Sequence, residues 1–431
     1  MEKHNPIGYP GGLTKEVAWG CALALTGGLF LVGDAIAADT VTRGPDTVNR
    51  NQTVFERSRP KYDAKGLPIG GGGLSLFPSL DVSEKYDNNV YATKNNKRDD
   101  FETIIEPTLT LKSNWSRHSL SATAYGRINH YADLTTENNK EYGAQATGVL
   151  DLPHASTLVA TGGYSRQTIA RGDPEQSNGV GSSPEQVDLL TGGAQYSHPF
   201  GRIRVTVGGT VNDYETVDGA DPGANRTEYK GTARVAYEIS AALNAFVEPY
   251  YQARRYDLGG LFNRDVDLYG IGFGFGYDIT GKLYGETQVG YYKADFKSNV
   301  YSDTSGVFVR SEATWNLSAL TSIIGGIERG NQASNVGTAS SSTTSAIDLR
   351  VEREIARNIT AAITGRYERQ KYENFSGGRQ DNYYRIGWIA NYLIDRHVAL
   401  FVQYQYQDRH SDVSTAEYRD NQVTLGIKGQ L

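Results

Sequence analysis

The segment VALFVQYQYQ, residues 398–407, alternates between apolar and largely polar side chains. Successive side chains of an extended strand point to opposite faces, so the two kinds separate onto two faces. No helical period fits this segment. Its apolar face must therefore contact either a protein core or lipid. The apolar face carries Val398, Leu400, Val402, Tyr404 and Tyr406, and the other face carries Ala399, Phe401, Gln403, Gln405 and Gln407.

The same alternation recurs along most of the chain. From Leu74 onward, about eighteen strand-like segments follow one another. Short breaks, such as 153–155 and 280–281, alternate with long polar breaks, such as 171–185 and 331–343. Short turns at one rim and long loops at the other are typical of outer-membrane barrels. The pattern predicts an all-β fold, a transmembrane antiparallel up-and-down β-barrel of about eighteen strands with a water-filled lumen.

The composition favours lipid over a dry core as the contact of the apolar faces. Only 38% of the 431 residues are hydrophobic, and the chain contains 49 glycines and 29 tyrosines. A large soluble protein would need more Leu and Ile to fill its core, whereas a wet barrel needs apolar residues on one strand face only. The net charge of −6 and the lack of a basic tract argue against a nucleic acid partner. The expected partners are outer-membrane lipid and the barrel-assembly machinery.

The first residues have the features of a secretory signal peptide. Lys3 and Lys15 supply positive charge, Trp19–Val32 is apolar, and Ala35-Ile36-Ala37 is an A-x-A cleavage site. The mature protein is therefore expected in the outer membrane of the cell. The predicted organisation is a signal peptide at 1–37, a periplasmic lead-in at 38–72 and the barrel at 73–431.

Charged and polar residues fall regularly on the face opposite the apolar one. Buried in a dry core, each unpaired charge would cost several kcal/mol, so a hydrated lumen is the expected environment. Two interpretations remain open: a solvated wall of local ion pairs, or a transverse field that holds a passing polar solute. Residues predicted to line the transport pathway are Glu106, Tyr125, Arg127, Arg204, Glu248, Tyr250, Arg254, Glu286, Tyr292, Arg310, Glu312, Arg350, Glu352, Arg366, Glu368, Arg385, Gln403 and Gln405.

Tyrosine has two expected roles. Tyrosines beside the predicted long loops, such as Tyr291 and Tyr384, should lie at the membrane interface, because their rings are amphipathic. Others share a face with the lumen residues and are candidates for stacking on sugar rings. These are Tyr125, Tyr250, Tyr284 and Tyr292.

No pattern in the sequence indicates an enzyme. The chain contains neither H-E-x-x-H nor G-x-S-x-G, and its seven histidines lack metal-ligand spacing. The segment GIGFGFGY at 270–277 alternates strictly and is not a dinucleotide-binding loop. We interpret its glycines as strand glycines, between outward-facing side chains that pack against lipid: Ile271, Phe273, Phe275 and Tyr277. An additional hypothesis is that the glycines leave a smooth, uncluttered stripe on the lumen wall. We therefore expect no catalytic residue, no metal and no cofactor.

A set of short motifs between residues 57 and 152 carries a family resemblance. The motifs are Arg59-Pro60-Lys61-Tyr62, Gly66, Leu76-Phe77-Pro78, Tyr86-Asp87-Asn88-Asn89-Val90-Tyr91, Asp99-Asp100, Glu106-Pro107, Asn114-Trp115-Ser116-Arg117-His118 and Leu150-Asp151-Leu152. Together they resemble the putative beta-barrel porin 2 family of proteobacterial outer-membrane proteins. Two departures are Asn88, where members often have Asp, and Leu431, where such barrels commonly end in an aromatic residue.

The resemblance implies passage of a polysaccharide, since members often accompany exopolysaccharide synthesis and secretion genes. The leading hypothesis is a pore that exports an exopolysaccharide, with a periplasmic polysaccharide-export protein as a possible partner. The first alternative is a general or sugar-selective diffusion porin for small polar solutes. The second is a structural or adhesive surface barrel that uses its loops at 171–185 and 331–343.

Overall fold

The computed structural model describes residues 52–176, 181–217, 221, 223–260, 262–334, 336 and 338–431. The signal-peptide prediction, and the lead-in prediction up to residue 51, lie outside these residues and stay predictions. In the described part of the chain, no helix is both long and apolar enough to cross a membrane.

Within the described residues, eighteen long strands follow one short strand, β1 (Leu67–Ile69). The long strands are β2 (Leu74–Asp87), β3 (Asp100–Ser113), β4 (Ser119–Tyr131), β5 (Asn139–Asp151), β6 (Thr157–Thr168), β7 (Gln186–Phe200), β8 (Ile203–Thr216), β9 (Arg226–Ser240), β10 (Leu243–Tyr256), β11 (Val266–Ile279), β12 (Leu283–Phe296), β13 (Thr304–Ser318), β14 (Thr321–Gln332), β15 (Ser341–Ala356), β16 (Ile359–Glu373), β17 (Arg379–Leu393), β18 (Val398–Ser411) and β19 (Tyr418–Gln430). Single 3₁₀ turns are formed by Gly70–Gly72, Thr135–Glu137, Pro153–Ala155 and Ser414–Ala416.

The strands close into a barrel. Each strand from β2 to β18 pairs antiparallel with the next, and β19 pairs antiparallel with β2 through Val423↔Tyr86 and Ile427↔Val82. Closure leaves no unpaired sheet edge among these strands, which a lipid-exposed sheet requires. The predicted barrel of about eighteen strands is confirmed.

The two rims of the barrel differ as predicted. Connections at the rim near both described termini are short, and those at the other rim are long. The three residues 280–282 join β11 to β12, and Thr280 and Gly281 have positive φ angles of 60° and 64°, as is common in tight hairpin turns. We call these rims the short-turn end and the long-loop end. In outer-membrane barrels they face the periplasm and the exterior, respectively.

The two faces of the barrel wall have opposite polarity. Large apolar side chains are exposed on the outside, among them Phe273 at 61% and Ile363 at 63%. The interior holds buried polar groups such as Glu248 and Arg254. The hydrophobic core cluster formed by described residues is small and consists of Val266, Leu268 and Ala294, with Phe296 packed against it. The barrel therefore has an apolar exterior and a polar lumen.

Candidate functional site: the lumen and its two ends

A cavity of about 1100 Å³ lies inside the barrel. At the long-loop end it is lined by Asn89 and Glu175, and at the short-turn end by Ala155 and Ala241. Its lining therefore extends from one rim to the other, through charged and polar side chains of the lumen wall. Such a path can admit a polar solute.

The described part of the long connection between β6 and β7, residues 169–176 and 181–185, folds into the lumen, and we call it the constriction loop. The carbonyl oxygen of Gly172 accepts hydrogen bonds from Tyr383 Oη at 3.3 Å and from Arg409 Nη1 at 3.2 Å. Both donors lie on the wall formed by β17 and β18. A Cβ atom at Gly172 would lie 2.3 Å from Tyr418 Oη, so this close approach requires glycine.

Two further contacts hold the constriction loop across the lumen. Arg171 forms a bidentate pair with Glu137, with both N–O distances at 2.8 Å, and Glu137 is 2% exposed. Ser334 Oγ, on the connection between β14 and β15, donates to Glu175 at 2.8 Å. The described part of the loop thus contacts several sectors of the long-loop end, and it narrows that entrance.

Asp173 is the titratable group at the centre of these loop contacts. Loss of hydration at this position raises the pKa of Asp173 to about 7, and the nearby charge of Glu175 adds to the increase. Hydrogen bonding from the Glu175 backbone N–H and the charge of Arg409 act in the opposite direction. The protonation state of Asp173 therefore changes near neutral pH while the loop occupies this position.

A second insertion is formed by residues 53–63, which we call the N-terminal segment. Val54 N donates to Ser322 Oγ and Phe55 N to Glu352 Oε2, both at 2.9 Å. Val54 is fully buried. Arg59 forms a salt bridge with Glu354 at 3.2 Å. The segment therefore docks on the lumen side of β14 and β15.

Two arginines extend the contact of the N-terminal segment with the short-turn end. Arg57 Nη1 donates to the carbonyl oxygen of Ala319 in the turn between β13 and β14. Arg59 Nη2 also donates to the Val54 carbonyl oxygen at 2.7 Å, which fixes the fold of the segment itself. The segment thus covers one part of the short-turn end. The cavity lining reaches this end at other residues, Ala155 and Ala241.

Eight of the eighteen residues predicted for the transport pathway line this cavity. Glu352 and Arg350 instead hold the N-terminal segment: Glu352 accepts from Phe55 N, and Arg350 lies 4.9 Å from the Phe55 ring. The sequence could not indicate this docking, because it joins positions almost 300 residues apart. The eight cavity-lining residues are Arg204, Glu248, Glu286, Arg310, Glu312, Arg366, Glu368 and Arg385.

The other predicted lumen residues lie within the packed layer on the inner wall. Glu106 and Arg127 pair at 3.2 Å, and Arg254 donates to Asn331 Oδ1 at 2.8 Å. Tyr292 is 3% exposed, which is too buried to stack on a sugar ring. Neither Tyr125 nor Tyr250 lines the cavity, and Gln403 and Gln405 are buried. Of the four candidate stacking tyrosines, Tyr284 lines the cavity.

Ion pairs dominate the charged wall of the cavity. Arg234, which sequence reasoning missed, contacts Glu248 at 2.5 Å and Glu286 at 2.9 Å, and its guanidinium lies 3.9 Å from the Phe246 ring centre. Arg234 lies on the same face of β9 as Lys230 and Thr232, and this period of two residues was the signal available in the sequence. Arg366 similarly contacts both Asp348 and Glu368, at 2.8 and 2.7 Å. This geometry favours the interpretation of a wall with local ion pairs.

The glycine stripe of β11 is covered, so the prediction of an uncluttered wall is wrong. The Tyr250 ring lies over Gly270, where an added Cβ would come within 2.1 Å of the ring. Phe246 covers Gly274 in the same way, at 2.3 Å. The glycines therefore provide space on the inner wall for the rings of two β10 residues.

Within the described ranges, no group of three or more His, Cys, Asp and Glu side chains is arranged to hold a metal ion.

Several solved barrels show limited similarity to the chain. OccK2 (OpdF) of Pseudomonas aeruginosa aligns with a TM-score of 0.45 and 12% identity, covering 83% of this chain and 98% of that one. OpdL of the same organism aligns with a TM-score of 0.43 and 11% identity, covering 83% of this chain and 98% of that one. OccAB4 of Acinetobacter baumannii aligns with a TM-score of 0.43 and 12% identity, covering 85% of this chain and 99% of that one.

Sequence comparison identifies a family although no curated protein matches the chain significantly. The sequence model of the family described as "Putative beta-barrel porin 2" matches residues 59–431. The match includes the N-terminal segment from Arg59 and all eighteen barrel strands. The chain belongs to the putative beta-barrel porin 2 family.

Proposed function

We propose that the protein is a diffusion porin that passes small polar solutes across the outer membrane. One observation carries this proposal: a polar cavity whose lining reaches from the long-loop end to the short-turn end of a closed barrel. The apolar exterior suits lipid, and the polar lumen suits water and hydrated solutes. Transport through such a path is passive and follows the solute gradient.

The two inserted segments favour small solutes over a polymer. The constriction loop is held to the wall through Gly172, and the N-terminal segment is held through Val54 and Phe55. A sliding polysaccharide would have to pass both ends at once, whereas a small solute passes each narrow point separately. The description of the matching family names a porin and does not mention the exopolysaccharide export that the resemblance implied.

The paired charges of the lumen wall support weak solute contacts. Arg234 and Arg366 are each shared between two carboxylates, so a solute must compete with existing ion pairs for them. Weak binding at several points lets a solute enter and leave again, as conduction requires. We therefore propose a broad preference for polar solutes without a tight binding site.

Conductance of the purified protein in a planar bilayer tests this function. We expect steady open channels in simple salt, and uptake of neutral sugars into protein-containing liposomes that decreases as the sugars become larger. Liposomes with heat-unfolded protein provide the control. A pore that stays closed in salt and opens only when a polysaccharide is added would overturn the proposal in favour of export.

A further inference from the structure

Two arginines lie in one row on the outer face of the barrel. Arg329 on β14 pairs with Ser345 on β15, and Ser345 pairs with Arg369 on β16. Neighbouring strands are separated by about 4.8 Å, so the two arginine Cα atoms are about 10 Å apart. Lys371 follows on the same face, two residues after Arg369. We call Arg329, Arg369 and Lys371 the outer basic cluster.

The height of this cluster along the barrel follows from its neighbours. Ile327, Ile347 and Tyr367 lie on the same outward faces, one row closer to the short-turn end, and all three are exposed. The Tyr367 and Tyr384 rings lie 5.1 Å apart, as expected in an aromatic girdle at the membrane interface. The cluster lies beyond these tyrosines, toward the long-loop end. It is therefore at the level of the lipid head groups in the outer leaflet.

The two arginines of the cluster are bonded to neutral groups. Arg329 Nη1 donates to Ser345 Oγ at 2.7 Å, and Arg369 Nη2 donates to Gln380 Oε1. Lys371 lies 3.4 Å from Glu373, which partly balances its charge. The cluster thus combines three positive charges with one carboxylate.

Two other outward-facing arginines near the long-loop end have acidic partners. Arg166 contacts Asp188 at 2.7 Å, in a bidentate arrangement. Arg419 contacts Asp408 at 3.0 Å. These pairs show how the charge of an outward-facing arginine is neutralised elsewhere on the barrel exterior. The outer basic cluster instead keeps guanidinium groups available to a ligand beside the membrane.

We propose that the outer basic cluster binds the phosphate of a phosphorylated lipid in the outer leaflet. Guanidinium groups match phosphate oxygens with two parallel hydrogen bonds, and the Ser345 hydroxyl lies between the two arginines. The exposed isoleucines below would contact the acyl chains of the same lipid. The inference depends on the orientation of the barrel in the membrane and is independent of the solute that the lumen passes.

Removal of both guanidinium groups tests the proposal. The variant Arg329→Gln with Arg369→Gln keeps neutral hydrogen-bonding side chains on an exposed surface. Arg353→Gln is the matched control, since Arg353 lies on the outward face of β15 at the short-turn end and donates to Thr321 Oγ1 at 2.7 Å. Folding of each variant is checked by the faster migration of the unheated barrel on denaturing gels.

Two measurements read out binding. The first is the amount of lipid phosphate that co-purifies with protein extracted from outer membranes, which should fall in the double variant and stay unchanged in Arg353→Gln. The second is titration of the detergent-solubilised protein with diphosphoryl lipid A, where we expect about 30-fold weaker binding by the double variant. This change corresponds to about 2 kcal/mol for two basic residues near a membrane surface.

Control ligands identify the group that is recognised. Lipid A without its phosphates should bind wild-type protein as weakly as diphosphoryl lipid A binds the double variant. Inorganic phosphate should bind at least tenfold more weakly than the lipid, because it lacks acyl contacts. Equal affinity of wild-type protein for phosphorylated and dephosphorylated lipid would overturn the proposal even if the double variant failed to fold. Unchanged co-purification in a folded double variant would do the same.

Discussion

Release of the N-terminal segment should widen the short-turn end of the pore. The perturbation is Glu352→Ala combined with Glu354→Ala, which removes the acceptor of Phe55 N and the partner of Arg59. Both contacts involve a carboxylate and lie in a mostly buried setting. Hydrogen bonds to charged groups contribute about 1.5–3 kcal/mol each. We therefore expect the double variant to weaken docking by about 3 kcal/mol, a factor of about 150 in the docking equilibrium.

Limited proteolysis and conductance would both detect this release. Trypsin should cut after Arg57 and Lys61 about 100-fold faster in the double variant, because cleavage follows the population of the undocked segment. Single-channel conductance in the same salt should increase. Glu312→Ala is the matched control, since Glu312 is a carboxylate of the cavity wall on β13, apart from the contacts of the segment. It reports the effect of losing one lumen charge.

One result would refute this reasoning. If trypsin cleavage in the double variant remained as slow as in Glu312→Ala, the carboxylates would not hold the segment. If cleavage accelerated while conductance matched that of the control, the segment would dock without narrowing the path. The first result would refute the role of the carboxylates, and the second would refute a contribution of the N-terminal segment to the size of the pore.

Three further predictions concern the long-loop end and the cavity wall. Gly172→Leu should displace the constriction loop, because its side chain would collide with Tyr418, and single-channel conductance should rise while the barrel stays folded. Conductance should also rise with pH between about 5 and 8. The raised pKa of Asp173 means that protonation of its carboxyl group stabilises the docked loop. This stabilisation is full below about pH 4 and is lost as pH rises through about 7. Asp173→Asn should abolish that pH dependence in bilayer recordings, and an unchanged pH profile would contradict the assignment. Arg234→Met should leave two carboxylates without their shared partner, which would lower stability by about 1–3 kcal/mol in urea unfolding and shift the reversal potential toward cations; a shift toward anions would contradict the ion-pair geometry.

The barrel itself could be predicted from the sequence because its information is local. Alternation such as that of Val398–Gln407 identifies a strand and its two faces without knowledge of distant residues. The polar residues Gln403 and Gln405 do lie on the inner side, and the apolar Leu400 is exposed outside. Loop length then distinguishes the two rims. Strand count, closure and orientation follow from repetition of this one pattern.

The occupancy of the lumen could not be predicted, because it depends on contacts between distant parts of the chain. Alternation places Glu352 inside the barrel but cannot show that Phe55 reaches it. The polar loop at 171–185 reads as a surface loop, although Gly172 contacts β17 and β18 inside the entrance. The glycines of β11 indicated free space, whereas rings from β10 occupy it. The face of the wall on which a side chain lies was therefore predictable from the sequence, whereas the access of that side chain to the cavity was not.

The two inserted segments are held by interactions that the barrel does not need for its own closure. Closure rests on strand pairing, including that of β19 with β2, whereas the insertions are held by side chains and isolated main-chain groups such as the Gly172 carbonyl. Substitutions at these anchors should therefore change conductance with little effect on the unfolding of the barrel. Substitutions within the paired wall, such as at Arg234, should affect both stability and ion preference. Measured together, unfolding and conductance would separate residues that build the barrel from those that set its aperture.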